Sequence, residues 1–366
     1  MSRQKNQPAT WPTQAAPNWL IHCRPGMESA SAAEMEQRAQ AQGLLGTYAI
    51  ARPGSAYLRI CQPDPEQASK MVIDAPRRMI FPRQLVHEWC WLEGLPQQDR
   101  LDPILDQLPA DQDFSGIQLS SPDSDHGKGL QRFLNGFQRA LERGLDQRGI
   151  RWQQAGAPRL HLFFPDSGQV SIGFDQDPES PPGGILRLRM PRAAPSRSTL
   201  KVEEALLRLM SEQERSDTLQ AGMIAADLGA APGGWTWQMV RRHLRVIAVD
   251  NGPMDPALMD SGLVSHLKQD AFTWKPTQAT DWLLCDIVDK PSRVMDRIGL
   301  WLEQGWTRHA LFNLKLPMKQ PWPVVRDLLD GLNYRLETAG IGAEIRARQL
   351  YHDREEITVL VLGGRC

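Results

Sequence analysis

Apolar and polar positions follow two rhythms along this chain, and the change between them falls near residue 180. In the first half, short apolar stretches at residues 19–23 (WLIHC), 47–51 (TYAIA) and 56–62 (AYLRICQ) read as strands around an Ala- and Glu-rich helix from Glu28 to about Gln42. Residues 79–95 are strongly apolar, and residues 126–149 repeat Leu130, Phe133, Phe137 and Leu141 at helical spacing. LHLFF and VSIGF, residues 160–164 and 170–174, flank the turn PDSG and predict a hairpin. Strands in runs with helices to one side predict an α+β region over residues 19–180. A loop dense in Pro, Gly and acids, residues 175–184, marks its boundary.

Past that loop, strand and helix alternate. MIAAD, LRVIAVD, HLKQDAF, WLLCD and ALFNLKL read as strands or strand ends, and WTWQMVRRHL, PSRVMDRIGLWLEQG and VVRDLLDGLNYRLETAG as helices among them. Alternation with short apolar strands predicts an α/β fold, a doubly wound and mostly parallel sheet over residues 186–363. AEIRARQLYHD and EEITVLVLGG then read as two strands joined by a tight turn, which would give the sheet an antiparallel edge.

Composition narrows the classes. Residues 1–18, rich in Gln, Pro and Ala without an apolar core, predict a disordered tail, and no apolar run approaches the roughly 18 residues of a membrane span. Five scattered cysteines without C-x-x-C spacing argue against a disulfide framework and against a zinc cluster, so a reducing cytoplasm and no metal are expected. A net charge of −1 advertises no global nucleic-acid field, so any such footprint must be local.

The candidate ligand site is the stretch DLGAAPGGW, a glycine turn between strand and helix. Phosphate binding fails on the residues: Trp235 and Thr236 follow Gly234 where a nucleoside-triphosphate loop needs Lys and then Ser or Thr, and the second glycine of G-x-G-x-x-G is missing. A strand ending in Asp227 before a small-residue turn suits a ligand with a cationic head and no phosphate, as in S-adenosylmethionine. Further acids close the following strands. Asp250, 23 positions after Asp227, is placed for ribose hydroxyls, Asp270 for an adenine amino group, and Asp286 ends WLLCD. Ligands of doubly wound sheets bind at those strand ends.

The same edge carries candidate chemistry in Lys201, Asp286, Lys315 and Glu356. Lys315 interrupts an apolar strand, where desolvation lowers a lysine's pKa. Moving a methyl from a sulfonium to a ribose 2′-hydroxyl needs a positioned base, which a lysine becomes when burial and a nearby cation such as Lys201 disfavour its charge. Asp286 and Glu356 would hold the ammonium groups in place. Cys285 suggests cysteine-dependent base methylation, but strand alternation turns it away from Asp286 and makes it a core residue. No Asn/Asp-Pro-Pro-aromatic motif occurs to hold an exocyclic amine. A dinucleotide oxidoreductase and a non-catalytic RNA-binding protein on the same fold are the competing classes.

The order Lys201, Asp286, Lys315, Glu356 around DLGAAPGGW resembles the Lys-Asp-Lys-Glu tetrad of ribose 2′-O-methyltransferases with a Rossmann-like fold. More narrowly, PSRSTLKVEEA, DLGAAPGGWTWQMV, VDNGPM, LFNLKLPMK and ARQLYHDREE, spread over residues 190–360, resemble the bacterial methyltransferase M family, which methylates a cytidine ribose in 23S ribosomal RNA. The resemblance implies a ferredoxin-like region and a THUMP RNA-binding module in the N-terminal half, Ser198 and the turn Ala231, Pro232, Gly233, Gly234 as cofactor contacts, and Lys315 as proton acceptor. Of the adjacent acids Glu355 and Glu356, spacing from the terminal strand favours Glu356.

Charge then locates the RNA. Residues 186–202 hold Arg187, Arg189, Arg192, Arg197 and Lys201, and residues 304–326 hold Arg308, Lys315, Lys319 and Arg326, both stretches without an acid. Basic residues gathered near the tetrad are the footprint that phosphate binding requires. Arg132, Arg139, Arg143 and Arg148 carry a weaker signal, because acids are interleaved among them. The expected partner is 23S ribosomal RNA, and the oligomeric state is left open, with a monomer favoured.

Overall fold

The computed structural model describes residues 18–64, 66–67, 78–109, 112–175 and 180–364. The expected tail lies outside these residues except for Asn18, as do residues 176–179 of the boundary loop. The chain divides into two compact units, and the main segment of the second begins at Leu186. Residues 78–80 cluster with that second unit, where the Gln349 N–H donates to the Ile80 carbonyl at 2.8 Å. Among the described residues no helix is long and apolar enough to cross a membrane.

The first unit contains β1 (Asn18–His22), α1 (Glu28–Ala41), β2 (Tyr48–Ala51), β3 (Tyr57–Cys61), β4 (Gln84–Leu92), α2 (Leu101–Leu105), β5 (Ile117–Ser120), α3 (Asp125–Gly129), α4 (Gln131–Gln147), β6 (Arg159–Asp166) and β7 (Gln169–Asp175). Its seven-stranded sheet has the order β2-β3-β1-β4-β7-β6-β5, antiparallel except where β5 meets β6. The β6–β7 hairpin closes as its sequence predicts, with the Asp166 carboxylate accepting the Gly168 N–H at 2.7 Å. Residues 126–149 form two helices where one is expected. Gly127 packs so tightly on the Pro122 backbone that a Cβ would collide with it, and Ser124 caps a separate short helix before Leu130. The inward face of α4 is therefore Leu134, Phe137, Leu141 and Leu145, packed with Leu162, Phe164 and Ile172 of the hairpin.

The second unit contains α5 (Thr199–Leu209), α6 (Glu212–Thr218), β8 (Ile224–Leu228), α7 (Gly234–Val240), β9 (Arg245–Val249), α8 (Pro256–Met259), β10 (Val264–Leu267), β11 (Thr280–Cys285), α9 (Pro291–Glu303), β12 (Thr307–Lys315), α10 (Pro321–Thr338), β13 (Ala343–Arg348) and β14 (Glu356–Gly363). The order β10-β9-β8-β11-β12-β14-β13 is parallel from β10 to β12 and antiparallel at β14 and β13. This is the expected Rossmann-like doubly wound sheet with its antiparallel edge. The chain moves outward from β8 to β10, then returns to the other side of β8, so a crevice opens at the carboxyl ends of β8 and β11. Trp282, Leu284, Leu311 and Leu360 bury one sheet face against Val202, Leu206, Trp235 and Met239. That burial sets the register, because slipping one residue would turn each strand's apolar side chains outward.

Two local expectations change. The third parallel strand is Val264–Leu267, not HLKQDAF, because the polar residues Lys268–Asp270 leave the sheet and Asp270 turns the chain by accepting the Phe272 N–H at 2.9 Å. β13 and β14 are joined by residues 349–355, not by a tight turn. This loop is fixed internally: the Asp353 carboxylate accepts the Leu350 N–H at 2.9 Å, and the buried Glu204 carboxylate accepts the N–H groups of Tyr351 and His352 at 2.9 and 3.0 Å.

Candidate functional site

The glycine turn after β8 is shaped by lack of space. Gly229 and Gly233 have φ of 74° and 115°, the left-handed region that only glycine enters cheaply. A Cβ on Gly229 would come within 2.6 Å of the Ile287 side chain, and one on Gly234 would run into the hydroxyls of Ser196 and Ser198. Ser198 thus stands directly against the start of α7, its hydroxyl 2.7 Å from that of Ser196. Ala231 and Pro232 form the outer part of the turn, and the Ala231 N–H donates to the Asp250 carboxylate at 3.0 Å. The other Asp250 oxygen accepts the Gly252 N–H at 2.7 Å, so this one acid ties the turn after β8 to the turn after β9.

The strand-end acids occupy different environments. Asp227 is 1% exposed and lies beneath the turn, accepting the Thr236 hydroxyl at 2.5 Å. Burial pushes its pKa up to about 7 against the opposing hydrogen bond from Thr236. Asp250 is half-buried beside the crevice, and Asp270 is exposed in the turn beyond β10. Cys285 is buried, and burial pushes its thiol up to about 12, which suits a core residue and not a nucleophile.

Lys201, Asp286, Lys315 and Glu356 are brought together by four elements. Lys201 lies on the first turn of α5, Asp286 directly follows β11, Lys315 ends β12, and Glu356 opens β14 opposite Lys315 in the antiparallel register. The Lys201 Nζ is 3.2 Å from each Asp286 oxygen and 2.6 Å from Glu356 Oε1. The second oxygen of Glu356 is 3.8 Å from the Lys315 Nζ. Glu355 points to solvent and contributes only its carbonyl, which accepts the Leu316 N–H at 2.8 Å. Burial alone would lower the Lys201 pKa, but attraction to Asp286 and Glu356 outweighs it and the pKa is raised, so Lys201 keeps its charge. The Asp286 pKa is raised by burial, partly offset by Lys201 and further raised by Glu356. Lys315, its side chain 36% exposed against 16% for Lys201, is the more open of the two lysines.

Sequence reasoning missed the residues behind this cluster. Asn313 donates from Nδ2 to Asp286 Oδ1 at 2.7 Å, and its Oδ1 accepts the Thr358 hydroxyl at 2.7 Å. The available signal was a buried amide two positions before Lys315, on the same face of an otherwise apolar strand. Of the basic residues, Arg187, Arg189, Arg192 and Arg197 are all exposed. Arg187 donates to the Tyr351 hydroxyl at 3.3 Å. Lys319 is exposed past the end of β12. Arg308 is the second residue of β12, so seven strand steps place it about 23 Å from Lys315, and it is not beside the tetrad. Arg326 pairs with Asp327 at 2.7 Å. Arg132, Arg139, Arg143 and Arg148 are exposed on or just past α4 of the first unit.

Residues 194–299 match the FtsJ-like methyltransferases, and residues 17–86 match the RlmM ferredoxin-like domain. The second unit therefore defines an FtsJ-like methyltransferase, a class that uses S-adenosylmethionine. The ribosomal RNA large subunit methyltransferase M of Chromohalobacter salexigens is 45% identical over 348 residues, covering 94% of this chain and 97% of that protein. Its counterpart in Xanthomonas campestris is 42% identical over 349 residues, covering 94% and 99%. The chain belongs to the ribosomal RNA large subunit methyltransferase M family.

Proposed function

We propose that this protein moves a methyl group from S-adenosylmethionine to the 2′-hydroxyl of a cytidine ribose in 23S ribosomal RNA. The observation that carries the reading is Lys201 clasped between Asp286 and Glu356, with Lys315 on the open side of Glu356, beside the crevice. S-adenosylmethionine fits the crevice because the turn offers bare backbone and no basic residue for a phosphate, while Asp250 at the end of β9 offers a carboxylate for ribose hydroxyls. Ser198, Asp227, Ala231, Pro232, Gly233, Gly234, Asp250, Asp270 and Asp286 are the residues that would hold it, with the buried Asp227 acting through Thr236 and the turn. When bound it supplies an electrophilic methyl on a sulfonium. Lys315, as the neutral amine, takes the proton of the 2′-hydroxyl as the C–O bond forms and the C–S bond breaks. Lys201 stays charged and sets the carboxylates, and Glu356 fixes the position of Lys315.

Residues 19–180, with a ferredoxin-like part and a THUMP part, would recruit the RNA, and Arg187, Arg189, Arg192 and Arg197 would meet its phosphates. A reducing cytoplasm fits the free cysteines Cys23, Cys61, Cys90 and Cys285. The test is where the methyl goes. Labelled methyl should appear on a cytidine ribose of undermethylated 23S RNA, and the linkage after it should resist alkali, since alkaline cleavage uses the free 2′-oxygen. Label on a base would overturn the tetrad mechanism; label on the ribose of another nucleotide would overturn only the target.

A further inference from the structure

Behind the tetrad runs a chain of buried polar groups whose proton count fixes its direction. Asn313 is 3% exposed, two positions before the end of β12. An ionised carboxylate only accepts hydrogen bonds, so the contact between Asn313 and Asp286 Oδ1 at 2.7 Å turns the amide NH2 toward Asp286 and the amide oxygen away from it. That oxygen faces Thr358, its cross-strand partner on β14, at 2.7 Å. The hydroxyl has one proton, and its shortest contact is with Asn313. The oxygens of Asp353 accept from the same hydroxyl at the longer distances of 3.1 and 3.2 Å. Donation to the tetrad thus runs from Thr358 to Asn313 and from Asn313 to Asp286.

We infer that Asn313, oriented by Thr358, is a positioning residue for methyl transfer that holds the Asp286 carboxylate where it must meet Lys201. The inference rests on the function proposed above. Its chemical consequence can be separated from a packing role. Asn313 favours the ionised form of Asp286, in company with Lys201 of α5 and against Glu356 of β14 and Asp227 of β8. Removing the amide raises the pKa of Asp286, so the ionised fraction at a given pH falls. The titration of Asp286 must then move to higher pH, and its grip on Lys201 loosens.

The experiment uses the full chain, undermethylated 23S RNA, single turnovers, and the variants Asn313→Leu, Thr358→Val and Thr358→Ser. Misplacing a reacting group by on the order of 1 Å costs about 100-fold in rate. Asn313→Leu is expected to approach that loss at unchanged cofactor affinity. Thr358→Val should follow it in the same direction, and Thr358→Ser, which keeps the hydroxyl, should restore the rate. Carbon-13 titration of the Asp286 carboxyl in wild type and both loss variants reads the same contact without methyl transfer. An unchanged Asp286 titration would overturn the inference, whether or not the wild type methylates ribose. So would a wild-type rate in Asn313→Leu, or equal losses in Thr358→Val and Thr358→Ser. A wild type that fails to methylate ribose while its Asp286 titration shifts on losing Asn313 would overturn the proposed function and leave the positioning contact standing. If Asn313→Leu does not fold, Thr358→Val carries both readouts.

Discussion

Lys201 on α5 and Lys315 at the end of β12 meet at Glu356, yet their surroundings differ. Lys201 is enclosed by two carboxylates, whereas Lys315 shares one at 3.8 Å and reaches the crevice. Lys315→Ala should therefore lower the single-turnover rate by about 100-fold or more, the range for losing a general base, with cofactor affinity nearly unchanged. Asp250→Ala should do the reverse, weakening the cofactor in calorimetry more than it slows turnover at saturation. Asp227 makes a separate pH prediction. Its pKa is raised from 3.8 to about 7, so between those values the folded protein holds a proton that the unfolded chain releases. Stability should fall as pH rises through that window, by on the order of 4 kcal/mol at the upper end. Asp227→Asn still accepts from Thr236 but cannot ionise, and urea unfolding of the variant should lose most of that slope.

At the scale of elements, the antiparallel register of β12 and β14 places Lys315 opposite Glu356 and Asn313 opposite Thr358. Those pairings were half legible in the sequence. Apolar strands separated by helices predicted the doubly wound sheet, and acids at successive strand ends pointed to its carboxyl edge, because period and punctuation are local properties. The partner of each side chain is not local. Asn313 read as an ordinary residue of an apolar strand, and its role depends on Thr358, 45 positions away. The seven-residue loop at 349–355 and the break between α3 and α4 were hidden for a similar reason, since each depends on contacts to Glu204, Asp353 or Pro122 that no periodicity reports. The glycine turn yields a direct test of crowding. Gly234→Ala must displace Ser196 and Ser198, at a cost of about 1–3 kcal/mol for overpacking. Lower thermal stability together with weaker cofactor binding is expected, and an unperturbed variant would mean that residues 196–198 give way freely.

For the whole molecule, the predicted cofactor contacts all lie in the second unit. A fragment beginning near residue 185 should bind S-adenosylmethionine in calorimetry, even though it loses the Ile80 carbonyl that receives the Gln349 N–H. Deleting residues 1–180 should abolish methylation of long RNA while sparing that binding, and a truncated chain as active as the full one on 23S RNA would move recruitment to the second unit. The sheet order carries a further consequence, for biosynthesis. β14 lies between β12 and β13, although the ribosome makes it after both. A nascent chain that has reached only residue 355 holds β13 without its partner, leaves the edge of β12 open to pairing with another copy, and lacks the Glu356 carboxylate that joins the two lysines. Insertion of one late strand closes the edge and supplies the missing acid together, so an unfinished copy lacks the link between the two lysines for as long as its sheet edge stays open to pairing.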